Sequence, residues 1–190
     1  MSEALNGPAY YLGWNESYVE AAYRNNPVPT TGGNQWWWYT DTYRALLQAD
    51  PADTRAALTC RTADYGTGGR RIGWTEKLMG RVDNGTRIFD SDFILYRYGE
   101  AFLMAAEARY YGKDYAGALE ALAPLAARAY GRRDYYTDTS PEAVLQAIVD
   151  EYLREMVGEG RTWWMLLRTD KIWEYSADIA AQRDKNPNIM

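Results

Sequence analysis

Histidine is absent from this 190-residue chain, and cysteine occurs once, at Cys60. Catalysis by a serine–histidine or cysteine–histidine pair is therefore excluded, as is every metal site that needs a histidine ligand. A single cysteine allows neither an internal disulfide nor a cluster of cysteine ligands. We interpret Cys60 as a small buried apolar residue.

Two further features are missing, an excess of positive charge and a long apolar run. The chain has 21 Lys and Arg against 26 Asp and Glu, for a net charge of -5. That balance argues against a nucleic-acid-binding surface. No segment approaches the roughly 20 apolar residues of a transmembrane helix, and the first residues do not resemble a secretion signal. Composition therefore leaves open whether the protein is cytoplasmic or exported.

Aromatic residues with a polar group are abundant, with 17 Tyr and 8 Trp against 3 Phe. Such side chains suit contact surfaces better than a dry core. Flat rings in a loop stack on sugar faces or nucleobases, and the acidic balance disfavours nucleobases. The predicted ligand contacts are Trp36, Trp37, Trp38 and Tyr39. Three adjacent tryptophans cannot all face one way, so we expect at least one of them in the core.

Glycine, proline and asparagine interrupt the first ninety residues, which predicts a loop-rich region. Asn25–Gln35 and Tyr65–Gly69 are interpreted as loops. A short helix is predicted within Thr40–Pro51, with Leu46 and Leu47 facing inward and the proline ending it.

The second part of the chain favours helices. An apolar helix is predicted over Phe93–Tyr111, and an alanine-rich one over Tyr115–Tyr130, kinked or split by Pro124. Together they are expected to form an antiparallel hairpin.

Two more helices are predicted near the carboxyl end. Ser140 suits an N-cap and Pro141 a first helical residue. The segment Arg161–Arg168 predicts a fourth helix, buried on most sides, with Trp163 and Trp164 in the core.

The predicted fold class is therefore all-α, mainly helical and loop-rich. A single domain is expected over residues 1–190. Within it, residues 1–90 form a loop-rich aromatic region, residues 91–175 a helical core, and residues 176–190 a C-terminal tail.

Acidic residues are the catalytic candidates that this composition leaves. Glu100 and Glu107 lie two turns apart on one helix face, about 10 Å along the axis. That spacing is compatible with an inverting glycosidase pair but not specific to one. The arginines at 97, 154 and 161 could instead pair with these carboxylates in a network between helices, and we favour that interpretation.

Three stretches resemble the C-terminal half of the SusD/RagB family. The first, Asp90–Gly112, is similar to the family's pattern of aspartate, Arg-Tyr, glutamate and Ala-Glu-Ala. The second, Ile148–Arg168, resembles its Glu-Arg-Arg-Glu segment followed by Glu-Gly-x-Arg-Trp. A weaker third, Tyr43–Arg55, carries an Asp-x-Arg at Asp53 and Arg55. The charged motif residues that match are Asp92, Arg97, Glu100, Glu107, Arg154, Glu155, Glu159 and Arg161.

The resemblance implies a C-terminal piece or a short relative of a SusD-like protein, with packed helical hairpins that associate with a tetratricopeptide-like half. It implies non-catalytic binding of an oligosaccharide or peptide, and polysaccharide uptake through a SusC-like, TonB-dependent barrel in Bacteroidetes-type bacteria. Members are cell-surface lipoproteins of the outer membrane, attached only through a lipid anchor that these residues do not contain. The role needs no cofactor or metal, and the motif residues are expected to hold the fold together.

Two alternatives stay open from the sequence. The helical hairpins could form a protein–protein interaction scaffold with no small-molecule site. The chain could also be a glycosidase that uses Glu100 or Glu107.

Overall fold

The computed structural model describes residues 20–23, 39–68, 70–176 and 180 of the chain. The chain divides into two compact units, Met1–Tyr96 and Arg97–Met190. Each unit is described by itself below. The single domain expected over residues 1–190 stays a prediction.

The described part of the first unit begins with short helices. A 3-10 turn spans Ala21–Tyr23, and helices α1 and α2 span Asp41–Leu47 and Ala56–Thr59. Thr40 caps α1, since its hydroxyl accepts a hydrogen bond from the backbone N–H of Tyr43. The helix predicted within Thr40–Pro51 is thus confirmed, with Leu47 buried as expected and Leu46 half-buried.

Two antiparallel hairpins follow, and the sequence analysis did not predict them. The first pairs β1 with β2, and the second pairs β3 with β4. The strands are β1 at Arg61–Gly66, β2 at Arg70–Trp74, β3 at Arg81–Asp83 and β4 at Thr86–Ile88. The loop predicted at Tyr65–Gly69 is therefore wrong in its first two residues, which end β1. The fold is mainly helical, as predicted, but not purely so.

A tight turn joins β3 to β4. Asn84 and Gly85 have φ angles of 47° and 78°. Positive φ at both central residues is the geometry of a type I′ turn, whose twist matches that of the flanking strands. The Asn-Gly pair is the local reason for this hairpin.

The second unit consists of helices in its described part. Helix α3 packs against α4 and α5, and α5 also contacts α4 and α6. The bounds are α3 at Tyr98–Tyr111, α4 at Tyr115–Tyr130, α5 at Pro141–Glu155, α6 at Thr162–Arg168 and α7 at Ile172–Tyr175.

Local residues account for both ends of α4 and for the start of α5. Asp114 accepts a hydrogen bond from the backbone N–H of Gly117, and Gly131 ends α4 with a φ of 74°. Ser140 precedes Pro141 at the start of α5, as predicted. The predicted split at Pro124 is wrong, because α4 continues through it. Four neighbours of that proline are buried, at Leu122, Ala123, Leu125 and Ala126, and their packing offsets the hydrogen bond it cannot make.

The predicted start of the first long helix at Phe93 is also wrong. Residues 93–97 precede the helix, and Arg97 has extended backbone angles of -146° and 159°. Phe93, Leu95 and Tyr96 are exposed. Their apolar character suggested a helix, but no buried face requires one there.

The core of the second unit lies between α3, α4 and α5 and includes the inner side of α6. Its fully buried apolar residues include Leu103, Ala106, Leu122, Ala126, Val144, Ile148, Val149, Tyr152 and Met165. Trp163 and Trp164 do not belong to it, since they are 44% and 60% exposed. The prediction that α6 is buried on most sides is wrong, because this seven-residue helix buries only Met165 and Leu166.

Candidate functional site

Tyr39 is the one predicted ligand contact that lies within the described residues; Trp36, Trp37 and Trp38 lie outside them. The Tyr39 hydroxyl donates to the backbone carbonyl of Thr59 at 2.8 Å. Its half-buried ring meets that of Tyr43 edge to face, with centroids 5.3 Å apart. Burial and the neighbouring Tyr43 raise the pKa of Tyr39 well above its ordinary value. Because its hydroxyl already bonds to Thr59, Tyr39 can contact a ligand through part of its ring but not through its hydroxyl.

Arg97 links the start of α3 to the end of α5. Its Nη1 donates to Oε1 of Glu155 at 2.5 Å, and its Nε donates to Oε2 of Glu159 at 2.6 Å. Its Nη2 also reaches the backbone carbonyl of Glu155 at 2.6 Å. Both carboxylates are nearly buried. The planar guanidinium, with donors pointing in several directions, suits this arrangement better than a lysine would.

Glu155 also accepts a hydrogen bond from a second arginine. The Nη2 of Arg128, on α4, donates to the other carboxylate oxygen of Glu155. Burial alone would raise the pKa of Glu155, but the hydrogen bonds and charges of Arg97 and Arg128 outweigh it and lower that pKa. The carboxylate is therefore ionised and joins three elements of the second unit.

Glu100 and Glu107 each lie near an arginine from the region of α6. Arg168 donates to both carboxylate oxygens of Glu107, at 2.8 and 2.9 Å. Arg161 lies farther from Glu100, with 3.4 Å between Nε and Oε1. A carboxylate whose two oxygens both accept from a guanidinium is poorly placed to abstract a proton, so this geometry disfavours Glu107 as a general base.

A tyrosine cluster surrounds Glu151, which is fully buried on α5. Its Oε1 accepts from the hydroxyls of Tyr130 and Tyr136, at 2.6 and 2.8 Å. Arg154 donates to the Tyr130 hydroxyl at 3.2 Å. Tyr135 stacks on Tyr130 with centroids 3.6 Å apart.

The sequence analysis matched Arg154 to a family motif, in a stretch that includes Glu151, but missed the tyrosines. Tyr130 and Tyr136 belong to the end of a helix and to the following loop, where periodicity gives no information. A polar residue at 151 inside the apolar stripe of α5 was the available indication that buried hydroxyls must meet it.

The remaining predicted motif residues lie in the first unit. Asp92 is exposed, whereas Asp53 and Arg55 form a buried pair. Arg55 donates to both carboxylate oxygens of Asp53, at 2.8 and 2.7 Å. The Asp-x-Arg spacing thus makes a local bidentate contact.

Exposed aromatic and apolar side chains also occur on the second unit. They include Trp163, Trp164 and Leu167 on α6. Because α6 buries its other side, these side chains are available to a ligand or a partner. Within the described residues, no helix combines the length and apolar character needed to cross a membrane.

Comparison with known proteins gives one match. The model of the SusD family matches residues 74–189, about three fifths of the chain, which includes both long motif stretches but not Asp53 and Arg55. The comparisons with curated proteins and with solved structures gave no match. Proteins of that family bind rather than catalyse, and they are typically nutrient-binding components of the outer membrane at the cell surface. The chain belongs to the SusD family, of which it covers a C-terminal region.

Proposed function

We propose that this chain is a non-catalytic binding component that delivers an oligosaccharide or a peptide to a SusC-like, TonB-dependent barrel. It acts at the cell surface, where a lipid anchor holds it to the outer membrane. No cofactor or metal takes part in this role.

The pairing of the motif carboxylates is the observation that carries the proposal. Glu107, Glu155 and Glu159 are buried against arginines at hydrogen-bond distance. A glycosidase needs one carboxyl group free to give a proton and a second free to attack or to activate water. Carboxylates already engaged by guanidinium groups suit a structural role instead. We therefore assign the ligand contacts to aromatic side chains.

We place the main ligand contact at Trp36, Trp37, Trp38 and Tyr39. A tyrosine ring with its hydroxyl tied to Thr59 gives this segment a fixed point. A ring that is held in place before binding loses less conformational entropy when it stacks on a sugar face. The segment therefore combines flat rings with at least one anchored neighbour.

Alanine substitutions test this placement. Trp37→Ala together with Trp38→Ala should weaken saccharide or peptide binding at least tenfold while leaving the unfolding midpoint nearly unchanged. The matched variant carries Trp163→Ala and Trp164→Ala, two exposed tryptophans of the second unit, and should keep the affinity. Collapse of stability with affinity intact in the first variant would show that these rings belong to the core.

A protein-binding scaffold is the second candidate, and one observation favours it. Trp163, Trp164 and Leu167 leave an apolar surface on α6 exposed. Co-purification with the barrel that is independent of any ligand, and is lost in the Trp163→Ala, Trp164→Ala variant, would support the scaffold. Saturable binding of a saccharide or peptide to the isolated chain would exclude a pure scaffold.

A further inference from the structure

The ring of Tyr39 lies over a glycine of strand β2. Gly73 is buried, and a Cβ atom added to it would lie 2.9 Å from Cδ2 of Tyr39 and 2.8 Å from Cδ of Arg44. Carbon atoms that are not bonded to each other pack at about 3.5–4.0 Å, so both distances are too short. A side chain at position 73 therefore cannot coexist with the ring where the structure has it.

The backbone itself does not require glycine at this position. Gly73 pairs with Thr62 in the regular part of the β1–β2 ladder, and its φ lies outside the left-handed region. Glycine weakens the interior of a strand, and it often marks the close approach of another group. The groups that approach here are the side chains of Tyr39 and Arg44.

The Tyr39 ring has little freedom to move aside. Its hydroxyl donates to the backbone carbonyl of Thr59 at 2.8 Å, and its ring meets Tyr43 edge to face. The acceptor belongs to a segment that is itself held, because the carbonyl of the preceding Leu58 accepts from the backbone N–H of Glu76 at 2.7 Å. The ring is thus fixed at its hydroxyl, at its edge and on the side that faces β2.

Arg44 has more freedom than Tyr39. Its atoms nearest to the added Cβ are the methylene carbons Cγ and Cδ, at 3.2 and 2.8 Å. A long, unbranched side chain has several staggered rotamers and changes between them more readily than a ring held at its hydroxyl. An alanine at position 73 would therefore act mainly on Tyr39, whose ring would have to leave its contacts with Thr59 or Tyr43.

We propose that Gly73 is a positioning residue for the ligand-contacting segment Trp36–Tyr39, an inference that rests on the function proposed above. Gly73 does not touch the ligand; it leaves the space in which the Tyr39 ring is held before binding. A ring already in place loses less conformational entropy on binding. Gly73 and Tyr39 both precede the residues matched by the family model, so membership of the family does not assign them this role.

Affinities of the 190-residue chain and its variants test the proposal. The probes are maltohexaose, cellohexaose, xylohexaose and trialanine, each titrated by tryptophan fluorescence. We expect Gly73→Ala to weaken the binding of the probe that the parent binds by about fivefold, the effect of ordering one side chain on binding. Gly112→Ala is the matched control and should keep the affinity, because its Cβ would lie 3.4 and 3.5 Å from its nearest neighbours, which is ordinary contact.

A cycle with Tyr39 shows whether the glycine acts through the ring. In the Tyr39→Ala background, Gly73→Ala should cause no further loss of affinity. Additive losses, or an unchanged affinity in Gly73→Ala while the parent binds a probe, would overturn this inference alone. A folded parent that binds none of the probes would overturn the proposed function and this inference together.

The position of the ring is measured separately by NMR. The ring signals of Tyr39, assigned by their loss in Tyr39→Phe, should shift in Gly73→Ala and stay in place in Gly112→Ala. Unchanged signals in Gly73→Ala would overturn the inference.

Tyr39→Phe provides a second variant if Gly73→Ala does not fold. It keeps the ring and the space above the glycine but removes the hydrogen bond to Thr59. Because the ring is then less firmly held before binding, the affinity should again fall by about fivefold. An affinity equal to that of the parent would contradict the role assigned to the position of this ring.

Discussion

Arg97 and Glu155 lie 58 positions apart in the sequence, yet Nη1 of the arginine is 2.5 Å from Oε1 of the glutamate. The same guanidinium contacts the backbone carbonyl of Glu155 and the side chain of Glu159. One side chain therefore donates to acceptors of both glutamates at and just beyond the end of α5. The stability of the second unit should depend on it.

Arg97→Ala should lower the free energy of unfolding by about 3 kcal/mol, because it removes a cation from two nearly buried carboxylates, of which Glu155 keeps Arg128. Urea unfolding followed by circular dichroism measures the change. Arg133→Ala is the matched control, since its pair with Glu120 is exposed on both sides and should contribute less than about 1 kcal/mol. Equal, small losses in the two variants would show that the Arg97 cluster does not stabilise the fold.

Gly99→Ala should destabilise the protein, although alanine usually favours a helix over glycine by about 1 kcal/mol. An added Cβ would lie 2.4 Å from Nη1 of Arg97 and 3.0 Å from Oε1 of Glu155. Gly99 thus makes room for the ion pair. In the Arg97→Ala background the closest of these contacts is gone, so Gly99→Ala should become neutral or stabilising. Urea unfolding of the four proteins measures this change of sign, and a stabilising Gly99→Ala in the parent would contradict it.

Lowering the pH should reduce the stability of the folded protein, because Glu155 becomes protonated. Its pKa is lower in the folded protein than the unfolded value of about 4.5, so the unfolded chain binds more protons there. The stabilisation is complete above that pH and is lost as the pH falls through the folded pKa. Between pH 7 and 3, the free energy of unfolding should fall less steeply in Glu155→Gln than in the parent protein. The variant starts from lower stability at pH 7. Glu120→Gln should keep the parent slope, and an unchanged slope in Glu155→Gln would refute the assignment.

The protein should not hydrolyse glycosidic bonds, because Glu107 is held by Arg168 through both oxygens. Incubation with soluble oligosaccharides should release no new reducing ends. Turnover that is lost in Glu100→Gln would instead support the glycosidase alternative.

Sequence reasoning succeeded where local chemistry decides the structure. Asp114 and Gly131 bound α4, and Ser140 with Pro141 starts α5; each residue acts through its own backbone or its near neighbours. The Asn84-Gly85 turn was equally local, and its type I′ preference could have predicted the β3–β4 hairpin.

Sequence reasoning failed where tertiary packing decides. The exposure of Trp163 and Trp164 depends on which side of α6 finds a neighbour, and composition does not carry that information. The start of α3 at Tyr98 depends on Arg97, whose extended backbone directs a side chain toward α5. The tyrosines around Glu151 meet only after α4, its following loop and α5 have packed.

Tryptophan fluorescence titration of the 190-residue chain against a panel of oligosaccharides and peptides tests the central claim most directly. The chain has eight tryptophans, so a stacking ligand should change the emission. We predict saturable quenching by one class of ligand, which is lost when Trp37 and Trp38 are replaced by alanine. No change with any member of the panel, in a chain that circular dichroism shows to be folded, would contradict a ligand site within these residues.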